Sequence, residues 1–444
     1  MNPTDKELER LGESMKELSI PEQLTHSVQL GIEKGKREKR RQRFKKSYRP
    51  LLAVAVFLLF VSFAVRISPA FADTVSHIPG LAPFVDYIRG DQSVEDAFSN
   101  HYGTPLNLSE TKGNTTVTLK QMVADEHRMV IFYTIQSSVS DKKIELDTAP
   151  HLYNSHKKVI EGTVEYNFPE SKKKEAIHYQ ELDVNFPENV TDDLTDTLVL
   201  KLKVHDQTYL FDLPIDLKKI QAAKKVYKLN QTVSIKNQKM TVNKVTLYPT
   251  GVAVDVSYDP TNAMQITDLE DLRLVDENGK SYASIKNGVS AFGIPEDGHQ
   301  VLFLDSNYFT TPQSLHLKLT KVRAIDKKDK DVVVNLKTKK LIQAPADHLL
   351  TLQNAGEGRA VFELKRTKED NPNRDYQIFD SNFTDASGKS FRIKTTEVSE
   401  KADNDPSTEQ IELHLPKKSF KEPVTFHIID YPTRLHGNVD IKIK

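Results

Sequence analysis

The sequence predicts a mostly β protein: a short N-terminal helical hairpin, one transmembrane helix, then about three tandem immunoglobulin-like β-sandwich units. Three observations predict it. One stretch is apolar enough to span a bilayer, and helical periodicity is concentrated before it. From about Thr115 onward, apolar residues alternate in a pattern that recurs three times.

The chain has 444 residues, a length that suggests roughly three domains. Lys plus Arg and Asp plus Glu both number 62, so net charge says nothing about partners. Its distribution says more. Ten bases fall between Lys34 and Arg49, offset only by Glu38. There is no cysteine, which excludes disulfides, thiolate zinc sites and cysteine nucleophiles.

The helical hairpin is read over residues 1–46. Leu8, Leu11, Met15 and Leu18 place one apolar stripe on a helix. Pro21 then fits the first turn of a second helix carrying Leu24, Val28 and Ile32. A segment this small cannot hold a core alone. These seven residues are therefore the candidate partner-binding set, a stripe that docks on a cytoplasmic protein. The blander alternative is a solvated arm whose bases are drawn to anionic lipid.

The transmembrane helix is read over residues 48–67. Leu51 to Val65 contains no charge, and with its flanks reaches roughly 18 residues, near the lower limit for a span. The basic block before it and the single Arg66 after it place the N-terminus in the cytoplasm and the C-terminus outside the cell membrane. Ala70-Phe71-Ala72 has the small-x-small form of a signal-peptide cleavage site, and a secreted protein is the rival reading.

The first outer domain is read over 68–218. Val94, Ala97 and Phe98 give the stretch from Asp91 to His101 a helical apolar face, either a cover on the first sandwich or part of a membrane-surface stalk. The second sandwich is read over 225–338 and the third over 346–444, with lysine-rich linkers between units. Each unit opens with a β pair: Val117 and Leu119 with Val130–Tyr133, Val242 and Val245 with Val252–Tyr258, Leu350 and Leu352 with Val361–Leu364. Asp276-Glu-Asn-Gly-Lys280 and Asp385-Ala-Ser-Gly-Lys389 are hairpin turns, in which glycine supplies a positive φ and the acid caps the turn. Their counterpart in the first unit, around Asn154, has lost the glycine. Each unit is expected to close with an alternating strand and a short final one, at Leu210–Ile215, Val332–Leu336 and Val439–Ile443.

Nothing points to chemistry. No G-x-S-x-G elbow, H-E-x-x-H, P-loop or dinucleotide fingerprint is present, and the histidines are scattered. The reading is a non-enzyme without cofactor or metal. Aromatic residues do not interleave the basic block as a nucleic-acid surface would require, so lipid and not nucleic acid is its expected partner.

Ser68-Pro-Ala-Phe-Ala72, His77-Ile-Pro-Gly-Leu81, the residues Asp91, Ala97 and Asn100, and the first β pair resemble the family called domain of unknown function 4179. The segment from Leu229 through Asp271-Leu-Arg-Leu-Val-Asp-Glu-Asn-Gly-Lys280 resembles its usual companion, domain of unknown function 5643. The resemblance implies a Gram-positive membrane protein described as a negative effector, or anti-sigma factor, of an extracytoplasmic-function sigma factor. It carries no catalytic residues. The zinc motif of better-known anti-sigma factors is absent, which leaves sigma binding to the helical hairpin. The function expected is thus a single-pass regulator holding a sigma factor inside and sensing an unknown ligand outside. The alternative is an envelope-anchored or secreted binding or spacer protein.

Overall fold

The computed structural model describes residue 78 and residues 81–88, 90–138, 146–166, 177–187, 190–283, 291–356, 358–367, 369–370, 376–400 and 408–444. All belong to one compact unit, residues 73–444. The helical segment expected over 1–46 and the transmembrane helix expected over 48–67 lie outside the described residues. Among the described residues, no helix is long and apolar enough to cross a membrane.

A 3-10 turn, Ala82–Phe84, runs into the helical turn α1 (Val85–Ile88), and Asp91 then caps α2 (Gln92–Ser99). Leu81, Phe84, Ile88, Val94, Ala97 and Phe98 are all buried. Phe84 and Phe98 lie on Phe132, with ring centroids 5.4 and 5.7 Å away. This stretch therefore covers one face of the first sandwich.

That sandwich contains β1 (Thr104–Lys112), β2 (Thr115–Ala124), β3 (Arg128–Ser137), β4 (His151–Asn154), β5 (Thr163–Tyr166), β6 (Ile177–Asn185), β7 (Thr197–Val204) and β8 (Gln207–Pro214). One sheet has the order β1-β2-β3-β6-β5 and the other β4-β7-β8. Their inner faces share one core, from Val117 and Ile131 on the first sheet to Leu200 and Phe211 on the second. β7 alternates buried and accessible residues as a strand with one face in the core must. β3 is buried on both faces because the helical cover lies over its outer side.

Helix α3 (Leu217–Ala222) leads to the second sandwich. Its strands are β9 (Lys225–Ile235), β10 (Gln238–Tyr248), β11 (Gly251–Tyr258), β12 (Met264–Asp268), β13 (Arg273–Asp276), β14 (Ser281–Tyr282), β15 (Ala291–Phe292), β16 (His299–Leu304) and β17 (Leu315–Asp326). The remaining strands are β18 (Asp331–Asn335), β19 (Lys340–Gln343), β20 (Leu350–Gly356), β21 (Arg359–Lys365), β22 (Phe379–Asp385), β23 (Ser390–Arg392), β24 (Thr395–Glu400), β25 (Thr408–His414), β26 (Val424–Ile428) and β27 (Arg434–Lys442).

The three hairpins that the repeat is built on superpose in their bonding. Asp276 Oδ1 accepts from the N–H groups of Asn278 and Lys280, and Asp385 Oδ1 from those of Ser387 and Lys389. In the first unit Asn154 Oδ1 accepts from His156 and Lys158. Gly279 and Gly388 have φ near +78° and +77°, and Lys157 takes the same left-handed conformation at +62°. The glycine missing from the first unit is thus replaced by a strained lysine. The turn itself is kept by its acceptor side chain.

The closing strands correct the sequence reading. β7 pairs with β8 through a two-residue turn, as expected. Strand β18, expected to close the second unit, instead pairs with β26, aligning Val334 with Val424. Strand β27, expected to close the third, pairs with β17, aligning Ile441 with Leu317. The outcome is a reciprocal exchange. Val439, Ile441 and Ile443 enter the second core, while Val332, Val334 and Leu336 enter the third. Both seams carry a histidine–aspartate contact, His316 to Asp440 at 2.5 Å and His427 to Asp331 at 2.7 Å. Gly437 sits where a Cβ would stand 2.8 Å from Ile235, so its lack of a side chain lets β27 close against β9. The lysine-rich stretch from Lys337, expected as a linker, is the β18–β19 hairpin and part of β19.

Candidate functional site

The seven residues singled out for partner binding, Leu8, Leu11, Met15, Leu18, Leu24, Val28 and Ile32, lie outside the described residues. Within the described residues, the densest concentration of buried polar chemistry is the joint between the helical cover and the first two sandwiches.

It is assembled from two hairpin turns. The turn after β2 carries Asp125, Glu126 and His127, and the turn after β10 carries Thr250. Asp125 Oδ2 accepts from both the N–H and the hydroxyl of Thr250, each at 2.7 Å. Its Oδ1 accepts from the N–H groups of His127 and Arg128 at 2.9 and 3.0 Å. Burial pushes this carboxyl up to about 6, even though four donated hydrogen bonds favour its ionised form. The His127 ring stacks on Phe303 of the second sandwich, centroids 4.1 Å apart. Burial, reinforced by the Arg128 charge, brings its pKa down to about 3, so the ring is neutral near pH 7. Glu126 receives Lys224 at 2.6 Å.

Arg128 begins the strand that leaves this turn, and it is fully buried. It binds Asp91 at 2.5 Å through one terminal nitrogen and grips Asp183 of β6 with the rest of the guanidinium. Burial opposes its charge, but the two carboxylates outweigh that and keep it protonated. Asp91 is at the same time the N-cap of α2, accepting from Ser93 and Val94. The Ser93 hydroxyl accepts from the Ser306 N–H, 2.8 Å away in the second sandwich. Glu181 shares this face of β6. Burial lifts its pKa to about 8, and repulsion from Asp183 adds to the effect. The connecting helix is held too, since the Lys219 ammonium lies 4.3 Å over the Tyr102 ring.

A second joint ties the exchanged sandwiches. Arg434 chelates Glu270 through two bonds of 2.7 Å and binds Asp370 at 2.5 Å. Arg323 binds Asp268 at 2.7 Å and Asp430 at 3.1 Å, with its guanidinium 5.0 Å from the centre of the Tyr376 ring. Each arginine thus takes one acid from each sandwich, and both side chains are nearly fully buried.

What these joints can do is hold protons and fix orientation. Among the described residues, no group of three or more His, Asp or Glu side chains is placed to hold a metal ion. A cavity of about 300 Å³ beside α3 is lined by Thr104, Met122, Asp216 and Lys219 without a nucleophile–base pair. In sequence, Asp125-Glu126 and Pro249-Thr250-Gly251 fall between the strands of the β pairs that open the first two units, where they read only as hairpin connections. Their meeting across the joint has no signature in local spacing.

Fold and joints together define a mostly β chain of several sheets, packed as sandwiches and locked to one another by buried charge. Two family models match it: a domain of unknown function (DUF4179) over residues 42–137, and a family of unknown function (DUF5643) over residues 224–353. No curated protein matches. One solved structure with similarity is the crystal structure of the conserved domain protein from Bacillus anthracis. It is 14% identical, with a TM-score of 0.35, and the alignment covers 54% of this chain and 84% of that one.

Proposed function

We propose that this protein is a single-pass membrane regulator, an anti-sigma factor whose N-terminal helices hold an extracytoplasmic-function sigma factor and whose outer β region senses the envelope. The observation that carries the reading is where the chain emerges from its apolar segment. Beyond it, residues 81–88 and 90–99 form the cover, and Asp91 and Ser93 of that cover bind Arg128 and Ser306. The sandwich joint therefore engages the stretch that follows the apolar run in sequence. The striped hairpin at Leu8–Ile32 and the basic block supply the inner half of such a device. The match of one family model to both the apolar run and the first β pair supports treating them as a single functional unit.

The test is affinity purification of the full-length protein from membranes of its source cell, beside a variant with Leu8, Leu11, Leu24 and Val28 changed to serine. Recovery of an RNA-polymerase sigma subunit with the unaltered chain but not the variant is the expected result. Absence of any sigma subunit, with unchanged transcripts after loss of the gene, favours an envelope-anchored spacer instead.

A further inference from the structure

One end of the third sandwich gathers four chain segments: the β18–β19, β20–β21 and β22–β23 turns and the β25–β26 connection. Hydrogen bonds hold them together. The Leu336 N–H donates to Glu422 at 2.9 Å, Ala386 to the Lys421 carbonyl at 2.9 Å, and Leu415 to the Gly358 carbonyl at 2.7 Å. Three of the four segments, all but the β20–β21 turn, carry lysines. Lys337, Lys339, Lys389, Lys417, Lys418 and Lys421 are all exposed. Among the described residues, none of the six ammonium groups is in an ion pair.

The described acids at this end do not neutralise them. Asp385 accepts from the N–H groups of Ser387, Lys389 and Lys421, and Glu422 from that of Leu336. Both carboxylates bond the turns they brace, and the lysines stay exposed, Lys389 with its ammonium 5.3 Å from the centre of the Phe391 ring. The cations are spread over three separate connections, β18–β19, β22–β23 and β25–β26. That arrangement suits an extended ligand with repeated charge better than a single phosphate. A bilayer is a poorer fit. Phe420 is packed on Phe383 and Phe391 at 5.1 and 4.9 Å, and the nearest strongly exposed aliphatic, Ile342, stands on β19 and not among the turns. Stable membrane docking requires apolar anchorage besides charge.

We propose that this lysine-bearing end of the third sandwich is a docking surface for an extended phosphodiester polyanion. The inference goes beyond the regulatory reading and does not depend on it.

The experiment uses the full-length protein in non-ionic detergent, titrated with poly(glycerol phosphate) and, separately, with phosphatidylglycerol vesicles, across a salt series. Two variants accompany it, with all six lysines changed to glutamine or all six to arginine, their folding checked by thermal melting. The basic block at Lys34–Arg49 is common to all three proteins, so the differences among them report the third sandwich alone. Polymer affinity should fall at least tenfold in the glutamine variant and persist in the arginine variant. If all six lysines contact phosphates, the slope of log affinity against log salt should be shallower in the glutamine variant by about 4, at roughly 0.7 per phosphate neutralised. Equal polymer binding by the unaltered and glutamine proteins overturns the proposal. So does binding to vesicles without binding to the polymer.

Discussion

Ile441 lies in the last strand of the chain yet is fully buried in the second sandwich, opposite Leu317 of β17. Cutting it back to alanine removes three carbons from a closed core, a change that costs about 2–5 kcal/mol. A domain of this kind is stable by about 5–15 kcal/mol, so the loss is a large fraction of the whole. Even the lower figure corresponds to roughly thirty-fold more frequent opening, at about 1.4 kcal/mol per factor of ten. Hydrogen exchange followed by mass spectrometry on the full-length protein resolves where that opening occurs. Amides of β17 and β13 should exchange faster, and those of β26 and β22 much less so. Val334→Ala supplies the mirror image. Val334 comes before the third unit in sequence, is equally buried, and pairs with Val424, so its loss should release β26 and β22. The reverse pattern, with Ile441→Ala loosening β26 and Val334→Ala loosening β17, would mean that each unit closes on its own strand and would refute the exchange.

The first joint gives two further expectations. Arg128→Met leaves Asp91 and Asp183 buried without their cation, and a loss of about 3–5 kcal/mol in the denaturant unfolding of the first sandwich should follow; a change below 1 kcal/mol would show that the ion cluster is incidental. Glu181 concerns pH. Its folded value of about 8 lies above the ordinary 4.5, so the folded state holds a proton that the unfolded state gives up. The stability it contributes is fully present below pH 4.5 and is lost as pH rises through 8. Thermal midpoints should therefore decline between pH 5 and 9, and Glu181→Gln should flatten that decline; an unchanged slope in the variant would assign the dependence to another group.

Much of the strand framework was legible because strand and turn signals are local. Alternation at Leu198, Leu200, Leu202 and Val204 directs one face of β7 inward whatever the partner. The acids at Asp276 and Asp385 find their N–H groups within four residues. The helix of the cover was legible for the same reason, since Val94, Ala97 and Phe98 share one helical face and Asp91 stands at its cap, whereas the choice between sandwich and membrane surface was left to the tertiary structure. The joints were not. Arg128 meets Asp183 and Asp91 from distant points of the chain, and a buried arginine has no spacing that separates it from a solvated one.

Thus the sequence by itself determined the β class, the threefold repeat and the chemistry of its turns, because each depends on neighbours a few residues away. Which strand completes which sandwich was decided only in three dimensions. β8, β18 and β27 carry interchangeable alternating patterns, so apolar burial alone does not choose among their partners. The connections choose. His205 and Asp206 both take positive φ, the requirement of a two-residue hairpin turn, and fold β8 back on β7. After β17 no such turn occurs. That strand runs on until Ile325 is already inside the third core, and a 3-10 turn at Lys327–Asp329 delivers β18 there. From β26 the chain passes Tyr431 in the third core and Pro432 before β27 enters the second. A strand that crosses between two cores before it turns is committed to the second of them, and that is a property of the assembled molecule.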